Sequence, residues 1–153
     1  MPTENLTLLF ERDILKLKTE IGAYHDEKKL WITAPGISNS GGNLCLHLLG
    51  NLQHYIGAIL GNSGYVRNRP EEFSQKNIPV AELITKLDHV SLLVPQTIRS
   101  LSAETLAKEY PEKVFDYPMT TEYFLLHLLA HLNYHLGQIN YHRRMLDNDT
   151  ITN

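Results

Sequence analysis

Histidines recur at helical spacing within one apolar stretch of this sequence. Four of the chain's eight histidines lie between residues 127 and 142, at His127, His131, His135 and His142. On a helix, residues four positions apart point within about 40° of each other and lie one turn apart, so a neighbouring pair can offer two ring nitrogens to one metal ion. A third histidine from another helix would complete a three-ligand site, and His47 is placed to supply it.

Such a ligand set has a defined chemistry. Three neutral imidazoles leave the charge of a divalent ion intact and keep at least one coordination position open for water or a substrate. Zinc, nickel, iron(II) and cobalt all accept this set, so the ligands do not select the metal. Spacing alone leaves the pairs His127/His131 and His131/His135 equally open. His142 lies roughly 10 Å beyond His135 on a helix, which is too far for a shared ion.

Polar residues accompany the histidines on both segments. Gln138 continues the histidine stripe, while Asn51 and His54 follow His47 along the earlier segment. Side chains of this kind orient ligand rings or hold bound water. The candidates for such supporting contacts are Asn51, His54, His127 and Gln138.

Several familiar catalytic patterns are absent from the sequence. There is no His-Glu-x-x-His zinc protease motif, no Glu-x-x-His pair of a di-iron bundle, no phosphate-binding glycine loop and no Gly-x-Ser-x-Gly elbow. Cys45 lies two residues before His47, so on a helix it points about 160° away and is expected in the core or at a surface rather than at the site.

Apolar periodicity predicts four helices that would position these residues. Their approximate bounds are Glu4 to Asp26, Gly42 to Leu60, Ile78 to Arg99, and Thr121 to Leu146. The expected caps are Thr3, Asn39 or Ser40, Asn77, and Thr120 or Thr121, and Pro95 should kink or end the third helix. The pattern predicts an all-α four-helix bundle.

The connection from Asn62 to Lys76 carries a topological clue. Fully extended, it could span roughly 50 Å, whereas a 20-residue helix is about 30 Å long. Helices two and three could therefore run parallel, joined by a crossover. Arg67 and Arg69 lie in this connection and could bind an anionic substrate or the carboxylates of a thiol cofactor. The simpler interpretation is a surface ion pair with Glu71 or Glu72.

Composition narrows the functional class. The 153 residues predict a single domain spanning 1–153, and 42% hydrophobic with 20% charged residues is typical of a globular protein. A net charge of −3 gives no basis for binding nucleic acid. No apolar run approaches the roughly 20 residues of a membrane span, so we expect none. We also expect no secretory signal, because Met1–Asn5 lacks a basic region followed by an apolar stretch. With one cysteine, no intrachain disulfide can form. We therefore expect a cytoplasmic protein.

Taken together, these residues resemble the DinB-like superfamily of bacterial four-helix-bundle metalloproteins. The resemblance rests on His47, on His131-x-x-x-His135 followed by Gln138, and on the sequences around them at residues 39–52 and 67–73. It implies a bundle with a crossover between helices two and three, a site for zinc or nickel, and frequent homodimers. It also favours His131/His135 over His127/His131.

Members of that superfamily suggest the chemistry. They include S-transferases and an isomerase that use the low-molecular-weight thiols bacillithiol or mycothiol, and others described as metal-dependent hydrolases. The leading hypothesis is therefore a metal-dependent thiol S-transferase acting on a small molecule. The alternatives are a hydrolase of a small ester or amide, with His54 or His127 as base, and a non-catalytic, dimeric metal-binding protein.

Overall fold

Six α-helices form the part of the chain that the computed structural model describes, residues 3–148. They are α1 (Thr3–Gly22), α2 (Gly41–Leu52), α3 (Arg69–Ser74), α4 (Val80–Ser100), α5 (Ala103–Ala107) and α6 (Thr121–Leu146). A π-helical stretch, Gln53–Ala58, continues α2, and a 3-10 turn spans Lys29–Trp31. Residues 1–2 and 149–153, at the two ends of the predicted domain, lie outside the described residues.

The four long helices form the predicted bundle. Contacts between the helices show their directions. Helix α1 is paired with α4 through Lys18–Asp88 and Glu11–Arg99, and with α6 through Asp13–Asn133 and Glu20–Asn140. Helix α2 and its π-helical continuation contact α6 through the hydrogen-bond pair His47–His131 and the ring pair Tyr55–Phe124. Thus α1 and α6 are parallel, and α2 and α4 run opposite to both. Helices α2 and α4 are consecutive members of the bundle and parallel, which confirms the predicted crossover.

Buried apolar side chains from all four helices fill the bundle. Residues with 1% or less of their surface exposed include Phe10, Ile14, Leu17, Ile21, Leu48, Leu52, Leu83, Leu87, Val90, Val94, Phe124, Leu128, Leu132 and Ile139. On each helix they recur three, four or seven positions apart, so each helix turns one apolar face inward. Among residues 3–148 no helix combines the length and the apolarity that crossing a membrane would require.

The helix ends depart from the sequence prediction at several points. Helix α1 ends at Gly22 rather than Asp26, because the backbone amides of His25 and Asp26 donate to the carboxylate of Asp147 and hold the following segment in a turn. Pro79, not Asn77, precedes the first residue of α4. The backbone φ of Asn77 is 58°, a left-handed conformation outside any right-handed helix.

Pro95 lies inside α4 and does not end it, since the helix continues to Ser100. Proline removes one backbone donor from the helix interior. Here the proline ring is buried between Val94 and Ile98, two side chains with no exposed surface. Burial of this part of the helix against the core therefore keeps α4 continuous despite the missing hydrogen bond.

The crossover segment is anchored to the start of α2. The Ser40 side chain caps α2 by accepting from the amide of Asn43 at 3.1 Å. The Asn43 side chain in turn donates to the carbonyl oxygens of Glu72 and Gln75, at 3.0 and 2.9 Å. These bonds hold α3 against α2, and α3 carries Glu72 towards His47.

Candidate metal centre

Three imidazole rings converge where α2 and α6 cross. The Nε2 atom of His131 lies 3.1 Å from Nε2 of His47 and 3.1 Å from Nε2 of His135. The candidate donor atoms of the three residues all lie within 4.8 Å of one another. Since α2 and α6 run in opposite directions, this convergence requires one particular register between them. The three residues that the sequence proposed as ligands are brought together.

The ring of His47 is oriented by a carboxylate. Its Nδ1 lies 2.9 Å from Oε2 of Glu72, and both side chains are buried. Burial opposes ionisation of Glu72, but the hydrogen bonds and positive charge of His47 and Arg67 outweigh it and hold the pKa of the carboxyl below its usual value. Glu72 is therefore an acceptor, so His47 donates from Nδ1 and keeps the Nε2 lone pair facing the other two rings.

Arg67 fixes the carboxylate from its other side. It donates from Nε to Oε1 of Glu72 at 2.6 Å and from Nη2 to Oε2 at 3.0 Å, a bidentate pair. Its Nη2 also lies 3.4 Å from Nδ1 of His47. The ion pair with Glu72 that the sequence suggested is present, but it is largely buried and lies against a candidate metal ligand instead of at the surface.

Gly50 makes room for this arrangement. A Cβ atom on residue 50 would lie 2.7 Å from Cδ of Glu72 and closer still to its Oε1. Any larger residue would push the carboxylate away from α2. Glycine destabilises an α-helix by about 1 kcal/mol relative to alanine. Its presence inside α2 is explained by the close approach of the Glu72 side chain to the helix backbone.

Gln138 orients His135 in the same manner. Its Oε1 lies 2.7 Å from Nδ1 of His135, three residues earlier on α6. An amide oxygen only accepts, so His135 donates from Nδ1 and presents the Nε2 lone pair to His131. Of the four candidates for supporting contacts, Gln138 is the one that bonds directly to a candidate ligand.

His131 lies between the other two rings. Burial, together with the neighbouring His135 and His47, lowers its pKa to about 3, so the ring is neutral at pH 7. Burial also lowers the pKa of His135. Neutral imidazole is the form that binds metal ions. The Nδ1 atom of His131 is buried and has no hydrogen-bond partner among the described residues.

The residues present fit a divalent cation. The Nε2 lone pairs of His47 and His135 point at Nε2 of His131 over 3.1 Å, a separation at which facing lone pairs repel unless a proton or a cation lies between them. Three neutral nitrogen donors, two with their tautomer fixed by a hydrogen bond, match the ligand set of open zinc-type sites. The cluster could therefore hold a metal ion.

The other supporting candidates make no hydrogen bond to these three rings among the described residues, although the ring of His127 stacks against that of His131 with centroids 6.4 Å apart. His127 is exposed and stacks on Phe124, with ring centroids 5.8 Å apart and planes at 8°. Asn51 is buried one turn after His47, and its Oδ1 has no hydrogen-bond partner in residues 3–148. His54 lies in the π-helical stretch and bonds from Nε2 to Glu112 at 3.0 Å.

Arg69 and Cys45 occupy contrasting positions. Arg69 is exposed, and its guanidinium lies 5.3 Å from the centroid of the Phe73 ring, which in turn lies 5.1 Å from the ring of His47. Cys45 has no exposed surface, and burial raises the pKa of its thiol to about 12. As predicted, the thiol lies in the core and takes no part in the site.

The sequence prediction missed the role of Glu72. It weighed this residue only as a surface partner of Arg67, because 25 residues separate it from His47 and no helical spacing links the two. The one available signal was Gly50 within a helix otherwise rich in leucine. A glycine at such a position indicates that another part of the chain approaches closely.

Comparison with known proteins agrees with the fold. A sequence model of the DinB superfamily matches residues 16–139, which include all three histidines and both arginines of the crossover. The match covers well over half of the chain, so the chain belongs to the DinB superfamily. No curated protein matches the sequence.

Proposed function

We propose that this DinB-superfamily protein is a metal-dependent thiol S-transferase, with His47, His131 and His135 holding a divalent zinc or nickel ion. The observation that carries the proposal is the convergence of three Nε2 atoms, of which two belong to rings fixed by Glu72 and Gln138. An ion bound there supplies Lewis-acid chemistry that lowers the pKa of a thiol or a water molecule.

The chain's own residues would prepare the site for that chemistry. Glu72, held by Arg67, keeps the proton of His47 on Nδ1, and Gln138 does the same for His135. Three neutral ligands leave the full charge of the ion available to a substrate, whereas a carboxylate ligand would neutralise part of it. His47 is buried, whereas His131 and His135 are half-buried, so the cluster is open to a substrate on one side.

The environment of Glu72 supports transfer over hydrolysis. A hydrolase needs a group to take a proton from the attacking water. Glu72 lies next to the cluster, but it is ionised, buried and hydrogen-bonded to both His47 and Arg67. Its oxygens orient the ring of His47, so Glu72 is not free to take a proton from water. A thiol that ionises at the metal needs no such base, because its proton can pass to solvent.

Arg69 is the better candidate to bind a thiol cofactor. Both crossover arginines were proposed for this role, but Arg67 already donates hydrogen bonds from its Nε and Nη2 atoms to Glu72. Arg69 is exposed, and its contact with Phe73 leaves its guanidinium donors facing solvent. We propose that it binds a carboxylate of the thiol.

Two measurements on the purified protein test the proposal. Elemental analysis should find about one zinc or nickel ion per chain, and mass spectrometry after incubation with bacillithiol or mycothiol and an electrophile should find the thioether conjugate. Metal without conjugation, but with ester or amide hydrolysis, would favour the hydrolase, with His54 as base and Glu112 orienting it. Metal with neither activity would favour a non-catalytic metal-binding protein. A chain that binds no metal would refute the proposal.

Two further expectations remain predictions. The superfamily resemblance favours a homodimer, which sedimentation analysis can test. The composition favours a cytoplasmic protein, which cell fractionation can test.

A further inference from the structure

A groove runs beside the metal centre between the loop at residues 34–39 and helix α6. Its volume is about 580 Å³, within the roughly 300–1,000 Å³ range of sites for small molecules. His135 and Gln138 form part of its wall. The groove thus borders the candidate metal centre at His135, and neither Arg67 nor Glu72 lines it.

The wall of this groove carries no aspartate, glutamate, lysine or arginine among the described residues. Its two histidines are engaged within the protein: Oε1 of Gln138 lies 2.7 Å from Nδ1 of His135, and the Tyr24 hydroxyl and the Ile32 carbonyl lie 2.7 and 2.9 Å from the two ring nitrogens of His142. Arg144 does not line the groove, and its guanidinium lies 5.6 Å from the centroid of the Tyr141 ring. A charged ligand would find no partner of opposite sign along the wall.

Apolar side chains stand exposed along the groove. Tyr134, Tyr141 and Met145 are 65%, 64% and 65% exposed and, together with Gln138, recur at helical spacing along one face of α6. The opposite wall includes Pro35 and Ile37. Aromatic rings and a methionine give an apolar surface that adapts to ligands of differing shape. The bundle core does not use this face of α6, so its apolar character calls for another explanation.

We propose that the groove binds a small, uncharged, apolar molecule, the electrophilic co-substrate of the transferase reaction. This rests on the proposed function, and it adds the substrate class and the side from which the substrate approaches. The anionic thiol would bind on the side of Arg69, and the apolar electrophile would lie in the groove against His135. For an aryl chloride, the sulfur–carbon bond forms and the carbon–chlorine bond breaks, chloride leaves with the electron pair, and the thiol proton goes to solvent.

A neutral fluorescent probe tests the groove without any turnover. N-phenyl-1-naphthylamine, which brightens in apolar surroundings, is titrated into the metal-loaded protein and into the Met145→Asp variant. The matched control is Leu92→Asp, which places the same charge at another exposed apolar residue, 72% exposed on α4 and outside the groove. Both sites are exposed, so we expect both variants to fold, with unchanged circular dichroism and unchanged metal content.

We expect saturable binding of one probe per chain, weakened at least tenfold by Met145→Asp and unchanged by Leu92→Asp. In conjugation assays with 1-chloro-2,4-dinitrobenzene, Met145→Asp should raise KM for this electrophile and leave kcat close to that of the wild type.

Several results would overturn the inference. These are no saturable probe binding to the wild-type protein, an equal loss in the two variants, or a change from dimer to monomer in Met145→Asp alone, which would assign the groove to contact between copies of the chain. Failure of the two proposals can be told apart. Probe binding without conjugation would refute the transferase and keep the groove, whereas conjugation without groove-dependent binding would refute the groove alone.

Discussion

Substitution of Gly50 by alanine should weaken metal binding without touching a candidate ligand. The added Cβ would lie 2.7 Å from Cδ of Glu72, well inside van der Waals contact. The carboxylate cannot simply turn aside, because Arg67 holds it by two hydrogen bonds and His47 by a third. Its displacement therefore breaks the contact that fixes the tautomer of His47.

The magnitude follows from the contact that is lost. Losing the hydrogen-bond partner of a metal-ligating histidine typically costs 10–100-fold in metal affinity, or about 1.4–2.7 kcal/mol. We expect Gly50→Ala to fall in this range. Its effect on folding should be smaller, because the gain in helix propensity of about 1 kcal/mol partly offsets the steric cost of about 1–3 kcal/mol.

Zinc affinity is measured by competition with a chromogenic chelator, and folding stability by urea unfolding of the metal-free protein. Gly137→Ala is the matched control, since a Cβ at this glycine of α6 meets no atom within 4 Å. It should stabilise the protein by about 0.5–1 kcal/mol and leave zinc affinity unchanged. Glu72→Gln, which removes the charge but keeps the size, should weaken zinc binding like Gly50→Ala.

Wild-type zinc affinity in Gly50→Ala would refute the reasoning, as would an equal loss in Gly137→Ala. A loss in Gly50→Ala without one in Glu72→Gln would show that Glu72 is not the residue through which position 50 acts.

Three other variants test separate parts of the structure. His131→Ala should abolish stoichiometric metal binding as measured by elemental analysis. Its circular dichroism spectrum should remain that of a helical protein, because the apolar core does not involve this ring. An unfolded variant would contradict the prediction that the site serves function and not folding. The buried ring of His142 accepts a hydrogen bond from the hydroxyl of Tyr24 at 2.7 Å, and burial lowers the pKa of this histidine. Between that lowered pKa and the unfolded value of 6.5, the unfolded chain binds more protons than the folded one. The free energy of unfolding should therefore fall as the pH falls through this range. Urea unfolding at pH 7 and pH 5 should therefore show a smaller loss for His142→Gln than for the wild type, and an equal loss would assign the pH dependence to other groups. Arg67→Met should destabilise the protein by about 3 kcal/mol or somewhat less, because it leaves the charge of Glu72 buried and unpaired while the partial exposure of Arg67 reduces the cost. Arg67→Lys should recover part of this loss in stability. No change in stability in Arg67→Met would show that solvent already reaches Glu72.

Local sequence signals were sufficient to predict the four long helices of the bundle, but not the short helices α3 and α5. Helix α6 begins at Thr121 and ends at Leu146, as predicted, because Thr120 supplies a capping hydroxyl and the apolar periodicity holds throughout. The sequence predicted that Pro95 kinks or ends the third helix, and α4 continues past it to Ser100. The rule that proline ends a helix is local, and packing of the surrounding turn against the core outweighs it.

The candidate site could be predicted only in part, for a similar reason. The spacing of His131 and His135 already places them on one helix face. Their meeting with His47 depends on the register of α2 against α6, which spacing does not contain, so the family resemblance was needed to choose the ligand set. Glu72 and Arg67 depend on how the crossover folds back over α2, a tertiary contact that no periodicity in the sequence encodes.

The crossover has a consequence for how this protein can diverge. The group that polarises the N–H of His47 belongs to a peripheral segment held on α2 by Asn43 and Arg67, whereas the nitrogen donors belong to the bundle helices. Mutations within residues 65–75 can therefore retune the electron-donating strength of one ligand while the helices keep their packing. Changes in this segment that keep the buried pair of Arg67 and Glu72 could alter the reactivity of the site at little cost in stability, whereas loss of either partner would weaken the fold as well.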